Sequence, residues 1–274
     1  MGMADHNVTQ DFRDKVVIVT GSSRGIGKAT ALGFLRSGAK VVLNGRNAES
    51  LQRTKDEFAR MGFPVFAFQG DLKDPATCHE LMKHTLDQFG KIDILVNNAG
   101  GGFRGEIENT SPDVFREVIN ANLMSAIFCT LAALTEIKKT RGSIVFISSL
   151  AGIRGLPQNA PYSVAKMGLT ALAQALRTEL HGSGVHIGII MVGFTDFDED
   201  KRVTDASVAL IPISRKSHQT REQVSRIVLR TVKKRKFLVV LTTLGRITML
   251  MQRFCPVIVE WIVLRNRKSE TYNQ

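Results

Sequence analysis

Cysteine is scarce in this sequence. Cys78, Cys129 and Cys255 are the only three among 274 residues, odd in number and widely spaced. That spacing excludes a disulfide framework and supplies no structural zinc pattern; it suits reduced, buried thiols, and we expect no metal. The N-terminus lacks an apolar core: "MGMADHNVTQDF" is polar and acidic and does not resemble a signal peptide, so a cytoplasmic protein is expected. Acidic residues are nearly missing towards the C-terminus. Residues 213–268 carry 14 Lys and Arg against 2 Asp and Glu, whereas residues 1–212 carry 23 against 22. The net charge of +12 is therefore a local property of the back end, a surface that seeks anions. Aromatic residues are sparse there too: Phe237, Phe254 and Trp261 are too few for a platform that stacks bases, so nucleic acid is the weakest partner.

What the chain does have is a repeated alternation. Short β-branched runs at 15–20, 40–45, 64–70, 92–98, 142–148, 184–192 and 236–242 are separated by longer helix-like stretches. Several runs are apolar at consecutive positions, as strands covered on both faces must be. The pattern predicts a doubly wound parallel α/β sheet in a single Rossmann-like domain over residues 12–242, with no repeat or linker interrupting it. Residues 243–274 follow as a basic amphipathic extension.

The first run leads into "TGSSRGIGKATALGFL", where Gly21, Gly25 and Gly27 precede an apolar helical pattern. Glycines at this strand-to-helix turn let backbone N–H groups approach a pyrophosphate, which the helix N-terminus favours. The second run ends "LNGRN". An NAD site needs a carboxylate here for the ribose diol; Asn44, Gly45 and Arg46 stand instead, and Arg46 with Arg24 suits a 2'-phosphate. The cofactor expected is NADP(H) rather than NAD(H).

Tyrosine is rarer than cysteine, yet Tyr162 sits in "PYSVAK", one helical turn before Lys166 and just after Pro161. With "TGSSRGIG", "GDL" at 70–72, "NNAG" at 97–100, "NANL" at 120–123 and "ISS" at 147–149, the chain resembles the short-chain dehydrogenase/reductase family over roughly residues 12–242. Each motif alone is modest, but the set in this order is specific. The resemblance implies Asn122, Ser149, Tyr162 and Lys166 as the catalytic set, Asn122 anchoring a water that links Lys166 to solvent. Ser148 competes with Ser149; the family's spacing of thirteen residues before the tyrosine selects Ser149. The resemblance also implies a cofactor lined by Gly21, Ser22, Ser23, Arg24, Gly25, Ile26, Gly27, Arg46, Asp71, Leu72, Asn97, Asn98, Ala99, Gly100, Tyr162, Lys166, Gly193 and Thr195. The chemistry accounts for the Tyr–Lys spacing. A free phenol has a pKa of about 10, and a cation on the same helical face favours its phenolate.

One departure stands out. The family has Pro-Gly after the sixth strand, whereas this chain reads "MVGFTDFDED", with Val192 in the proline's place and Thr195 two residues earlier than the usual threonine. The acids Asp196, Asp198, Glu199 and Asp200 are read as a solvated loop. The substrate pocket is expected along Gly101–Arg104 and Ala151–Gln158 under a lid at 194–220. Phe103, Ile153, Leu156, Phe194, Phe197, Leu210 and Ile211 give it an apolar lining suited to a carbonyl or alcohol that is steroid-like or fatty-acyl. The alternative function is a non-catalytic NADP(H)-binding sensor. Beyond the last strand, Ile247, Leu250, Met251, Phe254, Ile258, Trp261 and Ile262 recur at helical spacing, broken at Pro256. An interfacial helix on anionic membrane, a homo-oligomer contact and a cover over the pocket all remain open for this segment.

Overall fold

This computed structural model describes residues 11–196, 202–206, 209–212 and 219–271. Strand β1 (Val16–Val19) is apolar and buried at every position, because helices cover both faces of the sheet. The chain continues through α1 (Gly25–Arg36), β2 (Lys40–Gly45), α2 (Ala48–Arg60), β3 (Val65–Gln69), α3 (Pro75–Phe89) and β4 (Ile94–Asn97). A short strand β5 (Phe103–Arg104) precedes α4 (Pro112–Ile119), a π-helical segment (Asn120–Met124) and α5 (Ser125–Thr140). Then come β6 (Ser143–Ser149), α6 (Ala160–Glu179), β7 (His186–Val192), β8 (Arg202–Asp205) and β9 (Leu210–Pro212). The order closes with α7 (Arg221–Lys233), β10 (Leu238–Val240), α8 (Thr243–Phe254) and α9 (Pro256–Thr271).

The seven expected runs form one parallel sheet, in the order β10-β7-β6-β4-β1-β2-β3. The runs at 40–45 and 142–148 keep their length as β2 and β6, whereas most of the others are trimmed, most of all 236–242, where only Leu238–Val240 pairs with β7. The chain builds outward from β1 through β2 to β3, then crosses back to lay β4 on the other side of β1. This reversal creates a crevice beyond the C-terminal ends of β1 and β4, where open α/β sheets place their ligands. One core cluster, with Leu81, Ile137 and Leu169, fills the face under α3, α5 and α6. The other, with Phe34 and Val228, fills the face under α1 and α7.

Pro112–Thr140 is long and apolar enough to cross a bilayer, but Ala126, Cys129, Ala133 and Ile137 along it belong to the main core. It is a core helix. A three-stranded sheet, β5-β8-β9, was not anticipated. It brings part of the 194–220 region against the loop after β4: the Thr204 N–H donates to the Gly102 carbonyl, and Val203 fills the space that a side chain at Gly102 would need. Phe197, Asp198, Glu199 and Asp200 lie outside the described residues. Cys78 and Cys129 are buried with their sulfurs 3.5 Å apart, whereas Cys255 is exposed between α8 and α9, unlike the expected buried thiol.

The floor of the sheet is pinned by Asp93. Its carboxylate accepts the Val16 N–H at 2.9 Å and pairs with Lys15 at 2.9 Å and Lys91 at 3.0 Å. Burial raises its pKa, but the bonds from Lys15, Val16 and Lys91 together outweigh burial and hold it below the usual 3.8. The stabilisation is thus present above the unfolded pKa and is lost as pH falls through the lower folded value. We predict that Asp93→Ala costs roughly 2–4 kcal/mol at neutral pH, with the gap from the parent narrowing in acid. Thermal melts across pH measure it, and an unchanged Tm at pH 7 would show that these pairs contribute nothing.

Candidate active site

The nucleotide side of the crevice is the turn from β1 into α1. Helices α2, α3, α4, α7 and α8 each have a side-chain oxygen on their first amides, from Asn47, Asp74, Ser111, Thr220 and Thr242 respectively. Helix α1 has no side-chain cap at Arg24 and no acid in its first turn. Its N-terminus therefore presents backbone donors and a positive dipole end to an outside acceptor. Gly25, at φ +60°, has open space where a Cβ would stand, so the chain here approaches a ligand with backbone alone. These features fit the pyrophosphate of a dinucleotide.

Several residues expected to line the cofactor instead hold this turn in shape. The Ser22 hydroxyl is buried and donates to the Val19 carbonyl at 2.7 Å. Asn98 donates to the carbonyls of Thr20 and Gly21, so its side chain ties β4 to the glycine turn. Asn97 is buried and turns to Thr130, 3.1 Å away. Gly27 is buried, and a side chain there would collide with the Gly21 carbonyl; Ile26 packs on the core. Gly21, Ser23, Arg24, Ala99 and Gly100 remain at the rim. Two organising residues escaped the sequence reading. Thr20 Oγ1 accepts the N–H groups of both Asn98 and Ala99 at 2.9 Å, and buried Asn44 accepts the Gly21 N–H while donating towards Phe68 and Gly70. A polar residue at the end of a buried strand was their signal.

At the ribose end Arg46 is 66% exposed and 3.9 Å from Asp71, which also contacts Lys73 at 3.3 Å. Leu72 is buried in the core. Beyond β7, the Gly193 N–H donates to the Gln219 side chain at 3.0 Å and Thr195 turns its hydroxyl back to the Gly193 carbonyl. Nothing in the sequence signals this pairing of residues 26 positions apart.

The chemical side lies between β6, α6 and the π segment. Helix α6 carries Pro161 in its first turn, where the missing N–H is harmless, and places Tyr162 and Lys166 on one face. Lys166 is 5% exposed; its ammonium donates to the Ile147 carbonyl at 3.2 Å and lies 5.5 Å from the centre of the Tyr162 ring. Burial lowers its pKa to about 8. Ser148 is buried and donates to the Lys166 carbonyl, whereas Ser149 ends β6 with its oxygen accepting the Ala151 N–H at 3.3 Å. Ser149 is thus the serine at the open end of the strand. Asn122 donates to the Val118 carbonyl and accepts the Gly101 N–H. By taking a carbonyl from the i→i−4 ladder it sustains the π turn, which meets α6 where Leu123 faces Gly168.

Of the expected apolar lining, Phe103 departs: it is fully buried with Val114 and Val118 and backs the Tyr162 ring rather than opening to a pocket. Ile153 packs on the main core, and Phe194 is exposed. Leu210 and Ile211 fall in β9, and their side chains are not among those described.

A buried ammonium is a cost to the fold. Because the folded pKa of Lys166 is depressed from 10.5 to about 8, stability is gained above the unfolded pKa and lost as pH falls through about 8. We predict that Lys166→Met raises the apo-protein's stability at pH 6–7 by up to about 3 kcal/mol, a few degrees in Tm, the gain shrinking between about pH 8 and 10. Calorimetry at several pH values checks this, and a pH-independent difference would contradict it.

The short chain dehydrogenase family model matches residues 15–207. The chain is 38% identical over 183 residues to the (2S)-[(R)-hydroxy(phenyl)methyl]succinyl-CoA dehydrogenase subunit BbsD of Thauera aromatica, covering 66% of this chain and 73% of that protein. It is 29% identical over 271 residues to an 11-beta-hydroxysteroid dehydrogenase A of Arachis hypogaea, covering 93% and 76%. Among solved structures, the alcohol dehydrogenase of the archaeon Thermococcus sibiricus, complexed with 5-hydroxy-NADP, superposes with a TM-score of 0.72 at 26% identity, over 83% of this chain and 95% of the other. The crevice at the strand switch point, the uncapped helix that faces it and these matches lead to one conclusion: the chain is an oxidoreductase of the short-chain dehydrogenase/reductase family.

Proposed function

We propose that the protein is an NADP(H)-dependent carbonyl reductase, reversible in principle, acting on a lipophilic ketone or secondary alcohol of steroid-like or fatty-acyl type. The observation that carries this reading is Tyr162 and Lys166 on one face of α6, with the Lys166 ammonium 5.5 Å from the Tyr162 ring and bonded to the Ile147 carbonyl two residues before Ser149. Nicotinamide, when bound, supplies or takes up the hydride. Every other part of the work falls to the chain. Ser149 donates to the substrate oxygen as charge develops there, and the Tyr162 hydroxyl delivers the proton to that oxygen. The Lys166 ammonium, charged at neutral pH because its pKa of about 8 still lies above it, favours negative charge on the phenol. Asn122, in the π segment, bonds the Val118 carbonyl and the Gly101 amide, and the family resemblance has it hold a water open to solvent.

The substrate class is supported by the two relatives named above, one by name a hydroxysteroid dehydrogenase and the other a dehydrogenase of a hydroxy(phenyl)methylsuccinyl-CoA. The 2'-phosphate preference rests on Arg46 and Arg24 and on the absence of an acid at Asn44 to Arg46. We further read the protein as cytoplasmic, on its free thiols, and as a homo-oligomer, for which Leu131 on α5 and Val164 and Met167 on α6 remain exposed.

Tyr162→Phe tests the chemistry. Turnover is expected to fall about 10²–10⁴-fold across a panel of ketones and alcohols, with NADPH binding retained. Near-normal turnover would remove Tyr162 from its role, and tight NADPH binding by the parent with no turnover on any substrate would favour the sensor reading. Arg46→Ala tests the cofactor. The preference for NADPH over NADH is expected to drop about tenfold, and an unchanged ratio would make Arg46 a bystander.

A further inference from the structure

The two last helices present the wrong faces for water. On α8 the positions turned to the protein body are Gly245, Met249 and Gln252, while Leu244, Ile247, Leu250 and Phe254 lie on the opposite side and are exposed. Phe254 is 71% exposed, and Gln252 buries an oxygen with no hydrogen-bond partner. Past the break at Pro256, α9 buries Val259 and exposes Val257, Ile258, Trp261 and Leu264, with Val257 at 79%. A helix on a soluble surface turns its apolar stripe inward and its polar one outward; these two carry apolar side chains on both sides, so that large apolar side chains stand exposed among the arginines.

Charge identifies the occupant. Between residues 243 and 268 the only acid is Glu260, against Arg246, Arg253, Arg265, Arg267 and Lys268. Arg265 stacks on exposed Trp261, 5.2 Å from the ring centre, and Arg253 stands 5.7 Å from the Phe254 ring. Guanidinium groups held beside exposed aromatic rings suit a boundary that is apolar on one side and anionic on the other. Neither helix suits a crossing, at 12 and 16 residues with cations and Glu260 along them. We infer that α8 and α9 together dock the enzyme, in the plane of the interface, on membranes carrying anionic lipid.

Helix α8 is rooted beside the active site. A side chain at Gly245 would lie 2.5 Å from Leu150, the residue after Ser149, and Thr242, which caps α8, packs against Gly193 at the end of β7. Docking through these helices therefore holds the membrane-bound segment one helix away from the end of β6 and β7, where the site lies. The docking stands independently of the substrate reading, since it is measured without turnover.

The test is co-sedimentation of the full chain with phosphatidylcholine vesicles, with and without phosphatidylserine, at low and high salt. Binding is expected only with phosphatidylserine and is expected to weaken with salt. Leu250→Glu with Trp261→Glu, both on exposed positions, should reduce it at least about tenfold while NADPH binding and native mass stay unchanged. Arg253→Gln with Arg265→Gln should lower binding and flatten its salt dependence, a readout that does not depend on the stability of the first variant. Absence of binding by the parent at low salt, binding indifferent to phosphatidylserine, or no change in both variants would overturn the inference. A native mass that falls in the Leu250→Glu, Trp261→Glu variant would assign the face to a second copy of the chain instead.

Discussion

The site depends on keeping one ammonium group almost out of water. Lys166 has lost most of its hydration and has one described hydrogen-bond acceptor, the Ile147 carbonyl. That carbonyl is in place because β6 is held between β4 and β7, and the lysine is in place because its own carbonyl takes the Ser148 hydroxyl and, one turn on, that of Thr170. Helix α6 cannot slide along the strand without stranding the charge. Burial penalises this cation, so the surrounding fold must supply the stability to keep it there, a pattern expected where a group serves chemistry rather than structure.

The same economy of donors governs the nucleotide side. A side chain caps each of α2, α3, α4, α7 and α8, whereas the first amides of α1, at the crevice, are left for a ligand. Asn44, Asn98 and Thr20 bond backbone groups of the turn, so its shape is set before anything binds. Preorganisation of this kind lowers the ordering cost of binding a long, flexible dinucleotide.

The C-terminal helices follow a different rule. The core is complete without their outer stripes, which remain apolar although both helices lie on the surface. The short sheet formed by β5, β8 and β9 likewise stands apart from the main fold, over the loop that follows β4. Variation in substrate and location is expected in such peripheral segments, because they alter access without disturbing the helix that holds the proton donor or the sheet beneath it.

Much of this was readable from the linear sequence. Consecutive apolar positions in β1, β6 and β7 are a local consequence of two-sided burial, and the Tyr162–Lys166 face follows from helical spacing alone. The break at Pro256 follows from the ring's missing donor. What required the tertiary structure was every feature set by distant pairing: Gln219 on the Gly193 amide, Asn122 on Gly101, the β8–β9 hairpin beside Phe103. Phe103 itself looks like a pocket residue in sequence, and only its packing with Val114 and Val118 shows it behind the tyrosine. The direction of the α8 and α9 stripes is of the same kind. Periodicity shows that a helix has an apolar face, but which face meets the protein is decided by where Gly245 permits close approach to Leu150.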